Sequence, residues 1–517
     1  MITLAELPID CLIHIFSFLP LGDIEKCKLV SRTLYSIIND CLPFQYRVIL
    51  DRLGFVATPN TGSPPLELKV RMLREKRLRL SHIIQLENQN SITNVQLSRG
   101  VLVVDNTPLT SPLETKIHRL ASFNKGTDYG YSLVRDENTP VGYVGLVKVE
   151  AALDLLVLVE HQHDDDLRFS LRSLKTGLPH PDAAHPTILN HVIDIHLPRR
   201  CTRSVEIVDR RIVHIGQSLS RTTPLLTAWD WTTGELVTST PIPGHNYAFV
   251  SSDIFVVACD QMKCRGEYIL LALSVFTLEG VLPGEAARFV ATLCLPTTDG
   301  PSRPVFELYP TPPIPIPNPH ESHTSTQIFD LDGNSHYLAL RLTAHPIRAT
   351  SDSSTGILFI HSSGLRTLSE RLAATHRSPV FVRWDNWGFM TCWLKVTPPV
   401  LWRSIYGHRA AFLRLDSSTG DCEVLVYDLR VTRHVRSRPV AVDPTTGVGS
   451  NSDEQMDWLF SVKGKSTRHP ALVASFWVGP DVIPKGRAGE YYYDLKMDDE
   501  HGRDTSASSP SMHIFEM

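Results

Sequence analysis

Apolar side chains along residues 4–42 recur at three- and four-residue intervals, the spacing that lines one face of a helix. Leu12, Ile15, Phe16 and Leu19 predict a first helix, opened by Leu7-Pro8 and stopped at Pro20. Proline suits a helix's first turn, where its missing N–H has no intrahelical partner to lose. Leu21-Gly22-Asp23 predicts a turn, with Asp23 near the start of a short second helix carrying Ile24 and Cys27 on one side. Ser31 is a candidate cap for a third helix bearing Leu34, Ile37, Ile38 and Cys41, and Pro43 ends it. A segment of about forty residues buries little surface alone, and these helices carry more apolar residues than their core can hide. Exposed apolar surface of that kind marks a partner site.

The pattern then changes twice. Residues 43–65 are mixed and include a turn-rich stretch from Thr58 to Pro65, read as a loop. Leu66, Val70 and Leu73 predict a helix to Leu80, made strongly basic by Lys69, Arg71, Arg74, Lys76, Arg77 and Arg79. Clustered cations attract phosphates. With no aromatic interleaving, this helix reads instead as a solvated bridge to the next domain. From about residue 95 to about 495, short runs rich in Val, Ile, Leu and aromatics alternate with Gly, Pro, Asp or Asn. Examples are Gly145–Glu150, Leu153–Glu160, Val205–Ile215, Ile254–Asp260, Tyr268–Leu278, Cys422–Leu429 and Ala471–Val478. No sustained helical pattern intervenes, which predicts an all-β repeat array or a pair of sandwiches.

One unit recurs within this region. Leu153–Glu160 leads to Phe169–Leu174 and Thr176-Gly177; Ile212–Ile215 leads to Leu225–Trp231 and Thr233-Gly234; Ile254–Ala258 leads to Ile269–Leu278 and Gly280. Trp229-Asp230-Trp231-Thr232-Thr233-Gly234 resembles the strand and turn of WD-type propeller blades. The Gly-His pair that opens such blades has only Gly244-His245 and Gly407-His408 as counterparts. The resemblance implies a propeller-like domain of six to eight blades, a form in which radial repetition protects strand edges. A proline-rich break spans Pro301 to Pro319 and reads as an inter-blade insertion; Asp498–Met517 reads as a polar, mobile tail on which Ile514 and Phe515 are able to dock.

Composition narrows the class. A hydrophobic share of 42% and a charged share of 21% describe a soluble globular chain, and a net charge of −4 gives no global attraction for nucleic acid or anionic lipid. The start lacks a basic signal region, and no apolar run reaches the roughly 20 residues of a membrane helix. Nine scattered cysteines without a CxxC pair predict reduced thiols, hence a cytoplasmic or nuclear protein.

The N-terminal residues carry a second resemblance. Leu7-Pro8, Ile15-Phe16, Leu19-Pro20-Leu21-x-Asp23-Ile24 and Val30-Ser31-Arg32 follow the order and gaps of the F-box motif. One departure is Leu34, where the family often has tryptophan, with Tyr35 one step round the helix. The resemblance implies a small all-α F-box of three helices that binds a Skp-type adaptor and, through it, a cullin–RING ligase. By the family's pattern Leu7, Pro8, Leu12, Ile15, Phe16, Leu19, Pro20, Leu21, Ile24 and Val30 divide between the adaptor contact and the F-box core. The whole pattern is similar to fungal families of F-box proteins with divergent β domains.

Catalytic chemistry is hard to assemble from the remainder. His161-x-His163-Asp164-Asp165-Asp166 has metal-like side chains but sits where a charged hairpin turn is expected. Asp330-x-Asp332-Gly333-Asn334 begins like a calcium loop, yet Arg341 stands where the bidentate glutamate belongs. No Gly-x-Ser-x-Gly elbow or phosphate-binding loop occurs, and Cys259 and Cys264 flank a hairpin turn. The expected organisation is an F-box (1–50), a connector with a basic helix (51–90), a β-propeller-like recognition domain (91–497) and a tail (498–517). The expected role is a non-catalytic substrate receptor of a ubiquitin ligase, without metal or cofactor, binding a protein substrate through loop-face anchors such as Trp384, Trp387 or Trp402. An F-box scaffold outside the ligase and a propeller enzyme or lectin with a helical cap are the alternatives.

Overall fold

The computed structural model describes residues 7–53, 55–57, 64–78, 83–86, 92–98, 101–106, 114–119, 129–134, 143–161, 167–190, 205–216, 223–259, 262–264, 267–269, 271–295, 303–309, 329–331, 336–345, 354–396, 400–406, 408–415, 422–433, 469–478, 493–497, 501–506 and 512–516. Four helices open it: α1 (Ile9–Ser17), α2 (Leu21–Cys27), α3 (Arg32–Asp40) and α4 (Leu42–Leu53). Pro8 and Pro20 are the N-caps of α1 and α2, so Leu21–Asp23 begins a helix where a turn was expected. Pro43 likewise lies in the first turn of α4 rather than closing α3, consistent with proline's preference for that turn. The basic segment forms α5 (Leu66–Leu78), as its spacing predicts.

The β region is built from seven sheets of consecutive antiparallel strands among the described residues. The first holds Ile92–Ser98, Val101–Asn106, Glu114–Arg119 and Tyr129–Val134; the second Tyr143–Glu150, Leu155–His161, Leu167–Ser173 and Thr187–Asn190. The third holds Val205–Val208, Arg211–Gly216, Leu225–Asp230 and Leu236–Pro241. The fourth holds Tyr247–Phe249, Ile254–Cys259, Ala272–Thr277 and Arg288–Cys294, with Val380–Val382 added parallel at its edge. The fifth holds Arg303–Tyr309, Tyr337–His345, Ser354–His361 and Thr391–Val396; the sixth Val400–Tyr406, Arg409–Leu415, Cys422–Arg433 and His469–Val478. The seventh is Tyr493–Met497, His501–Ser506, Met512–Glu516 and, as its outer strand, Ile83–Leu86.

First strands of neighbouring sheets touch one another, as Tyr143–Glu150 does with both Ile92–Ser98 and Val205–Val208, and Val400–Tyr406 with Tyr493–Met497. They are therefore the inner strands around a common axis, the arrangement of a propeller. Ile83–Leu86 pairs with Met512–Glu516 and is followed in sequence by the first sheet, so one strand ties the chain's two ends into the ring. The region expected as a mobile tail thus supplies two strands, with Ile514 and Phe515 opposite Ile84 and Ile83. A pairing so remote in sequence leaves no local signal.

Topology also sets the position of the helices. Inner-to-second and third-to-outer connections share one face of the ring, here called proximal. Second-to-third and sheet-to-sheet connections share the distal face. An outer strand runs from proximal to distal, so the chain reaches Ile83 from the proximal face. A second link agrees: Phe55–Ala57, just after α4, pairs with Phe329–Leu331, which lies in the inner-to-second connection of the fifth sheet. That connection also corrects the proline-rich break, which joins two strands of one sheet rather than two blades. Pro304 is itself in the inner strand, opposite Ala344, and residues 310–328 lie outside the described residues.

Apolar side chains fill the spaces between sheets. Phe169 and Val157 of the second sheet meet Ile207 and Trp229 of the third, and Val213 and Ala228 of the third meet Phe255 and Val257 of the fourth. Both faces of the fourth sheet are covered, so Ile254–Cys259 and Ala272–Thr277 are buried at every position. The long runs Val205–Ile215 and Tyr268–Leu278 each contain a break: Asp209-Arg210 turns between two strands, and Glu267–Ile269 belongs to a separate small hairpin with Met262–Cys264. One helix, α6 (Ser362–Thr375), interrupts the fifth sheet, and its buried Leu365 and Leu368 pack beside the fourth sheet's core; no helix was expected there. No helix among the described residues is long and apolar enough to cross a membrane.

The repeated unit ends in the same turn three times, with Gly177, Gly234 and Gly280 at φ of 72°, 77° and 72°. In the third sheet Trp229 packs 5.3 Å from Phe169, Trp231 donates from Nε1 to the Asp209 carbonyl at 3.0 Å, and Asp230 Oδ1 accepts from the Thr232 hydroxyl at 2.6 Å. Gly244 opens the fourth sheet under tighter constraint, because a Cβ there would lie 2.5 Å from the Ala258 carbonyl oxygen. Nothing lies within 4 Å of such an atom at Gly280. Gly244→Ala should lower stability by about 2–3 kcal/mol through overpacking, against about 1 kcal/mol for Gly280→Ala, which loses only the left-handed backbone preference. Urea denaturation of the full chain reads both; equal losses would mean the strand at Ala258 gives way freely.

Candidate functional site

The four-helix bundle divides its apolar residues sharply. Leu12 and Phe16 of α1, Ile24 of α2, Leu34 and Ile38 of α3 and Phe44 of α4 form one buried core. Phe16 and Phe44 meet edge to face with centroids 6.2 Å apart, which makes α4 part of the bundle. Leu7, Leu19 and Leu21 are half-buried against that core. Ser31 caps α3 as its residue type predicts, its Oγ accepting from Leu34 N at 3.1 Å. Arg47 of α4 donates to the carbonyls of Ser17 at 3.1 Å and Leu19 at 3.2 Å, fixing the corner between α1 and α2.

The outer surface is also apolar. Pro8, Cys11, Ile15 and Phe18, at intervals of three, four and three, are all exposed and form a stripe along α1 beside the buried Leu12 and Phe16. Phe18 is 75% exposed, and after α2 Leu29 and Val30 are 86% and 74% exposed. Ile9 and Tyr35 are exposed as well. Six of the eleven exposed large hydrophobics among the described residues therefore lie between residues 9 and 35, a density that a solvated surface does not need. The nearby charges of α2 are paired internally, Lys26 with Asp23 at 2.7 Å and Lys28 with Glu25 at 3.0 Å. The hydrogen bond to Asp23, followed by its charge, holds Lys26 above its ordinary pKa.

Of the ten residues anticipated from the motif, Pro8, Ile15, Pro20 and Val30 face outward, Leu7, Leu19 and Leu21 lie at the boundary, and Leu12, Phe16 and Ile24 face inward. Ile9, Cys11, Phe18, Leu29 and Tyr35 were missed. The stripe through Cys11 and Phe18 was legible, since it follows the same helical period one step round from Leu12 and Phe16. Phe18 fell outside it only because it sits at the C-cap.

The basic helix α5 supports this bundle. Val70 and Leu73 are buried, Arg74 donates to Gln45 Oε1 at 2.7 Å, and the Lys69 ammonium lies 5.8 Å from the centre of the Tyr46 ring. Lys69 and Arg74 are thereby engaged with α4.

Other candidate residues lead elsewhere. Trp387 is fully buried and donates to the Cys294 carbonyl at 3.0 Å; Trp384 is half-buried against it at 4.9 Å. The Trp402 side chain, His163–Asp166 and Asp332–Asn334 lie outside the described residues, while Asp330 sits in a strand opposite Val56. Cys259 is buried with its sulfur 3.3 Å from the Ser274 hydroxyl. No cluster of three or more potential metal ligands occurs among the described residues.

Comparison with known proteins agrees with this division of the chain. The F-box domain family matches residues 4–46. No curated protein matches the chain. Among solved structures, the WD40 domain of SCAP from fission yeast is similar at 9% identity and a TM-score of 0.36, covering 86% of this chain and 98% of that one. The β-propeller domain of the trilobed protease from Pyrococcus furiosus is similar at 9% identity and a TM-score of 0.35, covering 81% and 91%. Hydrazine synthase from Kuenenia stuttgartiensis is similar at 11% identity and a TM-score of 0.39, covering 84% and 98%. Likeness at this level adds nothing to the seven-sheet arrangement seen directly.

Proposed function

With an F-box domain at residues 4–46 ahead of a propeller-like domain, we propose that the protein is the substrate-recognition subunit of a Skp–cullin–F-box ubiquitin ligase. F-box domains generally bind Skp-type adaptors. The observation that carries the reading is the outward apolar surface of Pro8, Ile15, Phe18, Leu29 and Val30 on a bundle whose own core is already complete. Covering that surface removes apolar area from water, worth about 25 cal/mol per Å² before the costs of association.

The mechanism is proximity. The bundle holds the ligase arm, and the ring holds a substrate whose lysines then meet the charged ubiquitin carrier at raised effective concentration. Both chain links between helices and ring lie on the proximal face. Catalysis falls to other subunits in this reading.

Reconstitution tests it. The full chain with purified Skp-type adaptor, cullin and RING subunits should support ubiquitylation of a copurifying protein, lost when residues 1–50 are removed. Adaptor capture without any such modification would point to a scaffold instead.

A further inference from the structure

Three neighbouring inner strands bring an ammonium, a carboxyl and a phenol to one level of the ring axis. Val147 and Val149 are buried against the first sheet, and strand alternation turns Lys148 the other way, toward the third. Val205 and Ile207 are buried against the second sheet, so Glu206 turns toward the fourth. Tyr247 turns back toward the third sheet together with Phe249. Its hydroxyl hydrogen-bonds to the Glu206 carboxyl, and the Lys148 charge acts on the same group. Each residue stands three positions before the turn that ends its inner strand. That register position holds Gln96, Glu307 and Ser404 in the first, fifth and sixth sheets.

One observation points to a ligand. Glu206 Oε2 is buried and has no hydrogen-bond partner, although a carboxylate oxygen ordinarily accepts at least one. Lys148 and Glu206 are half-buried, unlike their strand neighbours.

We propose that this level of the axis binds a cationic side chain, a lysine or arginine of a peptide docked on the ring, with Glu206 as its anchor. An acceptor without a partner is completed only by a donor, and a charged N–H gives the stronger bond. Much of the desolvation of Oε2 has already been borne by the fold, which favours a ligand that restores its missing bond. The inference rests on the reading of the ring as a peptide-binding domain.

The test uses the full chain bound to its adaptor. Two labelled Gly-Ser octapeptides, one with two arginines and one with two glutamates, are titrated by fluorescence anisotropy at fixed ionic strength and at about pH 8, where the Glu206 carboxyl is ionised. The arginine peptide should bind and the glutamate peptide should not. Glu206→Gln should weaken the arginine peptide at least tenfold, Lys148→Met should strengthen it severalfold, and Glu279→Gln on an exposed turn should change nothing. Equal binding by wild type and Glu206→Gln, or no binding of the arginine peptide at all, overturns the proposal. Adaptor capture is read in the same samples, so loss of the cation site and failure of the ligase reading give different results.

Discussion

Ile15→Asp combined with Phe18→Asp weakens adaptor binding at least a hundredfold and leaves the helical bundle folded. Each side chain is exposed on the outer stripe of α1, and neither belongs to the buried core. Truncated interface anchors commonly cost about 2 kcal/mol each. Two buried carboxylates without partners add a desolvation penalty, which makes a combined loss of about 3 kcal/mol a lower bound. Phe16→Ala is the informative contrast. Phe16 is enclosed against Phe44, so its removal opens a cavity and destabilises the bundle by about 3–5 kcal/mol. Adaptor binding then falls because the bundle melts. Isothermal titration beside circular dichroism separates the two causes. Unaltered affinity in the folded double aspartate variant would remove α1's outer stripe from the interface.

The ring loses stability as pH rises through neutrality, and Glu206→Gln removes that loss. Burial is the main cause that pushes the Glu206 carboxyl up to about 7, against the opposing effects of Lys148 and the Tyr247 hydroxyl. Burial also raises the Tyr247 hydroxyl well above its ordinary value, with the Glu206 charge acting in the same direction. Because the folded state holds the glutamate proton more tightly than the unfolded chain, the stabilisation is complete below about pH 4.5. It fades as pH rises through about 7, a span worth on the order of 3 kcal/mol at this group. Urea midpoints from pH 5 to 8.5, wild type against Glu206→Gln, read the difference. Parallel curves would mean that Glu206 ionises freely in the folded protein.

Local pattern carried much of this architecture. The period of Leu12, Phe16 and Leu19 announced α1, and Ser31 announced the start of α3. Strands such as Ile254–Cys259 were found because both sheet faces are buried and the run stays apolar. The same continuity hid the break at Asp209, since nothing in Val205–Ile215 alternates. Helix α4 was missed because Pro43 was read as an end, although Phe44 and Val48 stand one turn apart and both are buried. Helix α6 was missed because its buried face uses Leu365, Leu368 and Ser369, a stripe too polar to stand out. At the candidate interface, sequence supplied the motif but not its inside and outside. That distinction depends on a hundred-degree rotation per residue, where a neighbouring position changes from core to solvent.

The strand Ile83–Leu86 also sets an order of maturation. It is synthesised just after the helical bundle, yet its partner Met512–Glu516 follows the whole of the β region. The bundle can therefore fold and recruit its partner while the growing ring still presents unpaired strand edges, the surfaces most open to aggregation and to chaperones. Ring closure joins distant chain segments and is intrinsically slow. A truncation that starts after Leu86 would leave the seventh sheet without its outer strand, so an isolated β region has to retain residues from the connector to reach its finished form.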